Sequence, residues 1–181
     1  MGVKTIWQKL DKENGFKIFS MIFIITSAVF LFWRAKFGFG FNDEAFVVTL
    51  GERLFDGDAL FYDEWHLSQM AGVLTMPFVA LWLAINQGTE GIVLCMRITC
   101  TVIQCVLALF LYIRFRKINW FGAFCASMSF TLYIPFGIMA LSYNSMGVMA
   151  LTVTVALLYG TSLRRRYSAL AGLSFAAAVL C

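Results

Sequence analysis

Charged residues are scarce in this sequence: Asp, Glu, Lys and Arg together make up 13% of it, whereas 61% of its residues are hydrophobic. An ordinary soluble domain carries about one charged residue in four. Phe alone occurs 19 times, and the mean hydropathy is +0.81. The composition therefore argues against a soluble domain, and we expect no nucleic-acid partner.

Paired cysteine motifs are also absent, since none of the five cysteines belongs to a Cys-x-x-Cys pair. Four of them lie inside apolar stretches, at positions 95, 100, 105 and 125, and Cys181 ends the sequence. Thiols in such surroundings behave as small apolar side chains. We expect neither a disulfide framework nor a cysteine zinc site.

Long apolar stretches are what the sequence does contain, and several approach the roughly 20 residues that cross a hydrocarbon core. They run over 16–33, 70–86, 91–113, 118–142, 145–163 and 167–181. The pattern predicts an all-α polytopic membrane protein. The last stretch is short and lacks a basic flank, so we expect a truncated chain whose C-terminal half, or a partner chain, is missing.

The distribution of lysine and arginine predicts the orientation, because basic residues concentrate on the cytoplasmic side. The first 17 residues carry four lysines, and no small-residue cleavage site follows 16–33. This predicts a retained anchor helix and a cytoplasmic N-terminus in a bacterial cytoplasmic membrane. The later clusters, 114–117 and 164–166, also fall inside only if 70–86 does not cross. We therefore expect an outer loop over 34–90, with juxtamembrane helices at about 43–55 and 70–86.

The outer loop concentrates acid, because seven of the ten carboxylates lie between Asp43 and Glu64. Phe46, Val47, Leu50 and Leu54 recur at helical spacing, which predicts an amphipathic helix. Two interpretations stay open. The acids can be helix caps and a solvated surface, or they can form a site at the membrane surface.

Three features favour a site. Aromatic residues are interleaved with the acids, at positions 55, 61, 62 and 65, and the only histidine, His66, follows Asp63 by three positions. Arg97 lies inside an apolar stretch, where a charge is costly and often functional. It can pair with an outer-loop carboxylate, bind a lipid phosphate, or extend to the headgroups.

The order of these motifs resembles the first outer loop of the GT-C glycosyltransferases. A first helix is followed by Asp43-Glu44, then by G-x-R-L-x-x-G-D over 51–58 and Y-D-E-W-H-x-x-Q over 62–69. The family includes protein O-mannosyltransferases and aminoarabinose transferases, and the loop is most similar to uncharacterised bacterial membrane proteins with a D-E-W-H-x-x-Q segment. Leu67-Ser68 stand where the family often has two prolines.

The resemblance implies a GT-C-like helical bundle that moves a sugar from a polyprenyl-phosphate donor to an acceptor hydroxyl, with inversion. It implies Asp43 as general base, with Glu44 beside it as a second catalytic residue. Residues that would bind the donor, its phosphate or membrane lipid are Arg53, Arg97, Tyr62, Asp63, His66 and Asn144.

Two further possibilities follow from the residue types. Asp58, Asp63, Glu64 and His66 are candidate ligands for a divalent cation, because carboxylates with one imidazole suit several metals. The alternative function is a non-catalytic or degenerate membrane protein: a truncated relative, a scaffold or a lipid-binding protein. Whether the chain is an enzyme stays open between these.

Overall fold

The protein is all-helical over the residues described by its computed structural model, which are 3–38, 41–66, 68–159 and 165–181, with side chains from residue 15 onward except 41 and 42. The helices are α1 (Val3–Arg34), α2 (Phe41–Asp56), α3 (Ala71–Asn86), α4 (Ile92–Phe115), α5 (Trp120–Leu132), α6 (Tyr143–Leu158) and α7 (Arg165–Val179). No β-strand occurs in these ranges. The all-α prediction is confirmed, and so are the two expected helices at about 43–55 and 70–86.

Two of the helices are long and apolar enough to cross a membrane. They are the part of α1 over Gly15–Arg34 and the whole of α4. Length and apolar composition indicate membrane association only weakly, because a core helix of a soluble protein can share them. Helices α3 and α6 are apolar but shorter, at 16 residues each.

Helix α4 lies at the centre and packs against α1, α2, α3, α5 and α6. Helix α5 runs antiparallel to it, and the Ser127 hydroxyl donates to the carbonyl of Ala108 at 2.8 Å. Helix α6 runs parallel to α4, since Arg114 at the end of α4 donates to the carbonyl of Ala156. Helix α7 returns antiparallel along α6, where the Ser174 hydroxyl donates to the carbonyl of Ala150.

Helices α2 and α3 form an antiparallel pair that packs closely at two glycines. A Cβ atom at Gly51 would lie 2.9 Å from Val79 Cγ2, and one at Gly72 would lie 2.9 Å from Leu54 Cδ1. A side chain at either position would force a neighbouring group to shift, so glycine favours this close approach of the two helices. Buried Val48 and Val79 belong to the same apolar core as Met96 of α4, so the pair is attached to the bundle through that helix.

Six of the ten basic residues whose side chains are described gather at one end of the bundle, which we call the basic end: Lys17, Arg114, Arg116, Lys117, Arg165 and Arg166. The Phe16 and Trp120 rings bring α1 and α5 together there, with centroids 3.9 Å apart. Because α7 is antiparallel to α6, its first residues lie at this end as well. Arg164 and the side chains of the first three lysines lie outside the described residues. The opposite end contains the end of α1 and the start of α4.

The prediction of one continuous helix over 118–142 is wrong for the second half of that stretch. Helix α5 ends at Leu132, and an irregular segment containing a 3₁₀ turn over Pro135–Gly137 leads to α6. Proline disfavours helical backbone in the preceding residue and lacks an N–H donor. Phe136 and Gly137 both have positive φ, 53° and 77°. The α5 helix is therefore only 13 residues long.

Candidate functional site

A buried ion pair joins α2 to α4. Arg97 donates from Nε to Glu44 Oε2 at 2.8 Å and from Nη2 to the same oxygen at 2.5 Å. Glu44 has 0% of its surface exposed and Arg97 has 6%. Of the partners considered for Arg97, the structure shows a carboxylate of the predicted outer loop, Glu44.

The ion pair also ties two irregular segments into what we call the junction. Arg97 Nη1 donates to the carbonyl oxygens of Ala35 at 3.2 Å and Gly38 at 2.8 Å, just beyond α1. Carbonyls at a helix end have no partner within the helix, and a cation there is favourable. The other oxygen of Glu44 accepts from the Met139 amide at 2.8 Å. Four parts of the chain therefore meet at two side chains.

Helical phase decides which acid of the Asp43-Glu44 pair enters the junction. Glu44 shares a face with Val47, Val48 and Gly51, at spacings of three, four and seven, and all four are buried. Asp43 lies one position earlier and is exposed in the first turn of α2. Asp43 can therefore meet a molecule from solution. Glu44, predicted as a catalytic residue, has no access to a substrate in this arrangement and holds the junction instead.

Arg53 organises the loop that follows α2. It donates from Nε to Asp58 Oδ2 and from Nη1 to Glu64 Oε2, both at 2.6 Å, and from Nη2 to the carbonyl of Asp63 at 2.8 Å. The hydrogen bond with Asp58 raises the pKa of Arg53 above its ordinary value. A raised arginine pKa keeps this stabilisation at every pH below the unfolded value, so it is lost only far into the alkaline range.

The candidate metal ligands are directed to partners within the protein. Asp63 Oδ2 accepts from the Ala59 amide at 2.7 Å, and Glu64 Oε1 accepts from the amides of Trp65 and His66. His66 Nδ1 lies 2.7 Å from the Ser68 hydroxyl. Among the side chains that the structure describes, no three of His, Cys, Asp or Glu are grouped to hold a metal ion. The structure therefore does not assemble the predicted site from Asp58, Asp63, Glu64 and His66.

The aromatic residues of this loop face outward. Tyr62 is 80% exposed and Trp65 is 82% exposed, and the Trp65 indole donates to the carbonyl of Tyr62 at 3.2 Å. Phe61 is exposed as well and adopts a positive φ of 64°. The ring of His66 lies against Phe46 of α2, with centroids 4.5 Å apart. The loop thus presents aromatic faces beside an acidic helix.

Asn144 is half-buried in the first turn of α6, five positions after Met139. The structure therefore brings the segment before α6 to Glu44, although the contact is made by the Met139 backbone.

Gln104 was not singled out in the sequence analysis. Its amide donates to the carbonyls of Phe130, Thr131 and Tyr133 where α5 ends. Its position as a lone amide in an apolar helix is the signal that would have found it.

Comparison of the chain with protein-family models, with curated proteins and with solved structures found no match. The resemblance to GT-C enzymes therefore depends on the loop motifs alone.

Proposed function

We propose that this chain is an integral membrane protein with several of its helices in contact with lipid. What supports this is the apolar surface of the bundle. Helix α1 exposes a continuous series of large hydrophobic residues: Ile18, Phe19, Met21, Ile22, Phe23, Ile25, Val29, Phe30 and Trp33. Helix α4 likewise exposes Val102, Val106, Leu109 and Ile113. Soluble monomers rarely expose apolar patches of this extent.

We further propose that the chain is the N-terminal part of a glycosyltransferase that uses a polyprenyl-phosphate sugar at the outer membrane face. The observation that carries this proposal is that the two acids of the Asp43-Glu44 pair have different surroundings. Glu44 is buried with Arg97, and this contact holds the first turn of α2 in place. Asp43 is the exposed neighbour on that fixed turn. A general base needs both accessibility and a fixed position.

In the proposed reaction, an acceptor hydroxyl oxygen attacks the anomeric carbon of the sugar while Asp43 takes the hydroxyl proton. The bond between that carbon and the phosphate oxygen breaks, and polyprenyl phosphate leaves with both bonding electrons. A cation near the departing phosphate stabilises the charge that develops. Arg53 is the more accessible of the two candidate arginines, because 38% of its side chain is exposed whereas Arg97 is enclosed. To bind the phosphate it would exchange a contact with Asp58 or Glu64. Tyr62 and Trp65 offer aromatic faces for a sugar ring.

The test compares Asp43→Asn with Asp56→Asn, because Asp56 is an exposed acid on the same helix. Protein purified from its own membranes would be given polyprenyl-phosphate mannose or aminoarabinose with an acceptor alcohol. We expect transfer to fall about 10²–10⁴-fold in the first variant, the usual contribution of a general base, and to be preserved in the second. Equal rates in both variants would remove Asp43 from the mechanism.

A non-catalytic membrane protein is the second candidate, and the Arg53 contacts favour it. Asp58 and Glu64 are paired with Arg53, so their carboxylates already have a structural role. In that case the wild-type protein transfers no sugar from either donor. A wild-type rate indistinguishable from that of the Asp43→Asn variant would favour this candidate.

A further inference from the structure

A large groove lies between α1 and α4 and extends along α1 from Lys17 to Phe32. Its volume is about 970 Å³, at the upper end of the roughly 300–1,000 Å³ usual for small-molecule sites. Apolar side chains line most of its length, among them Met21, Ile25 and Val29 of α1 and Leu109 and Ile113 of α4. Such a surface suits a hydrocarbon chain.

The groove ends among cations. Lys17, Arg116 and Lys117 line it at the basic end, together with Trp120. Arg116 and Lys117 are exposed in the turn that follows α4. Of the described residues that line the groove, none is acidic. An occupant is therefore expected to carry negative charge at one end and to be apolar along the rest.

The groove is long enough to hold an acyl chain of one membrane leaflet, since its α1 wall extends from Lys17 to Phe32, about 22 Å at 1.5 Å per residue. Its α4 wall extends from Cys105 to Lys117, about 18 Å at 1.5 Å per residue. Half of a roughly 30 Å hydrocarbon core is about 15 Å. A lipid whose phosphate lies beside Arg116 and Lys117 would therefore extend its acyl chain to the level of Cys105. Tryptophan at the head of the groove suits the interface between headgroup and chain.

We propose that the α1–α4 groove binds one anionic phospholipid, with its phosphate at Arg116 and Lys117 and an acyl chain along the apolar wall. Basic pockets between membrane helices commonly bind such headgroups on the cytoplasmic side. The site is separate from the acidic loop and does not depend on glycosyl transfer. It can therefore hold whether or not the proposed enzymatic activity is found.

The test measures lipid retained by the purified protein after exchange into nanodiscs of phosphatidylcholine containing a minor fraction of phosphatidylglycerol. Native mass spectrometry of the protein released from the nanodiscs should show one bound phosphatidylglycerol per chain in the wild type. The Arg116→Gln/Lys117→Gln variant should weaken retention by about tenfold or more, because each cation contributes to binding. The matched control is Arg165→Gln/Arg166→Gln, which removes two cations from the same end but none from the groove.

A second variant, Ala28→Phe, fills the apolar wall and keeps every charge. Ala28 lines the groove on α1 and is half-buried, so the larger ring would occupy the path of the acyl chain. Retention should fall in this variant too. Equal losses in both double variants, or retention unchanged by Ala28→Phe, would mean that general surface charge attracts the lipid and would overturn the proposal.

A measurement on the wild-type protein tests the proposal even if the variants do not fold. Trp120 lines the groove, so phosphatidylglycerol brominated on its acyl chains should quench its fluorescence more than brominated phosphatidylcholine does. The conservative variant Trp120→Phe should lose that difference. Equal quenching by the two lipids would contradict a site that is selective for anionic lipid. The proposal would also be wrong if a further protein segment or a second copy of the chain occupied the groove.

Discussion

At the scale of single residues, the two arginines that face carboxylates have different roles. Arg97 is buried and joins Glu44 to the end of α1, whereas Arg53 is partly exposed and arranges a surface loop. Removing one partner of a buried pair leaves a charge without compensation, which costs far more than breaking an exposed pair. The same substitution at each arginine therefore compares the loss of a buried ion pair with the loss of a partly exposed one.

We expect Arg97→Met to lower the free energy of unfolding by about 3–5 kcal/mol, because Glu44 is left buried without its counter-ion. Arg53→Met should have a much smaller effect. The double variant Glu44→Met/Arg97→Met should be more stable than Arg97→Met alone, since no charge stays buried. Denaturant titration in micelles measures all three. If Arg97→Met were no worse than Arg53→Met, the junction would carry little of the stability.

Residue chemistry made part of this site predictable. An arginine within an apolar stretch indicates a partner, and a carboxylate of the predicted outer loop was one of the partners considered. Which of the two acids points inward required the helical phase of Glu44, Val47, Val48 and Gly51. The backbone partners lie in segments without a regular pattern: Gly38 is 59 positions from Arg97, and Met139 is 95 positions from Glu44. Such contacts depend on tertiary packing and leave no local signal.

At the scale of helices, sequence patterns predicted positions well and ends less well. Apolar length located six of the described helices, and the amphipathic spacing over 43–55 located α2. The end of α5 was missed because no charged residue or polar amide or hydroxyl side chain other than that of Tyr133 occurs over 133–141. Pro135 and Gly137 were the available signal for an irregular segment. Gln104 then provides the hydrogen bonds that the last carbonyls of α5 lack within their own helix.

The close packing of α2 on α3 gives a prediction about elements. Gly51→Ala would place a Cβ 2.9 Å from Val79 Cγ2 and 3.3 Å from the Met76 backbone nitrogen, so the helices must separate. Overpacking of this kind costs about 1–3 kcal/mol. Gly172→Ala in α7 is the control, because nothing lies within 4 Å of its Cβ and alanine favours helix by about 0.5–1 kcal/mol. Opposite signs in thermal unfolding are expected, and equal effects would contradict the close contact.

At the scale of the whole molecule, charge divides along the bundle axis. The described cations outside α2 gather mostly at the basic end, whereas seven of ten carboxylates belong to α2 and the loop after it. In a membrane, the basic end would face the cytoplasm. Helix α4 would then cross between Arg97 and Arg116, and the α2–α3 pair would stay on the outer side.

Thiol labelling tests this orientation. Tyr62→Cys places a thiol in the acidic loop, and Ile118→Cys places one in the exposed turn at the basic end. Both would be made with Cys125→Ser, because Cys125 is exposed. A thiol reagent that cannot cross the membrane, added to intact cells, should label the first variant, and the second only after permeabilisation. Labelling of both from outside would mean that α3 also crosses, and the reverse pattern would place the acidic loop in the cytoplasm, where no outer-face glycosyl transfer could occur.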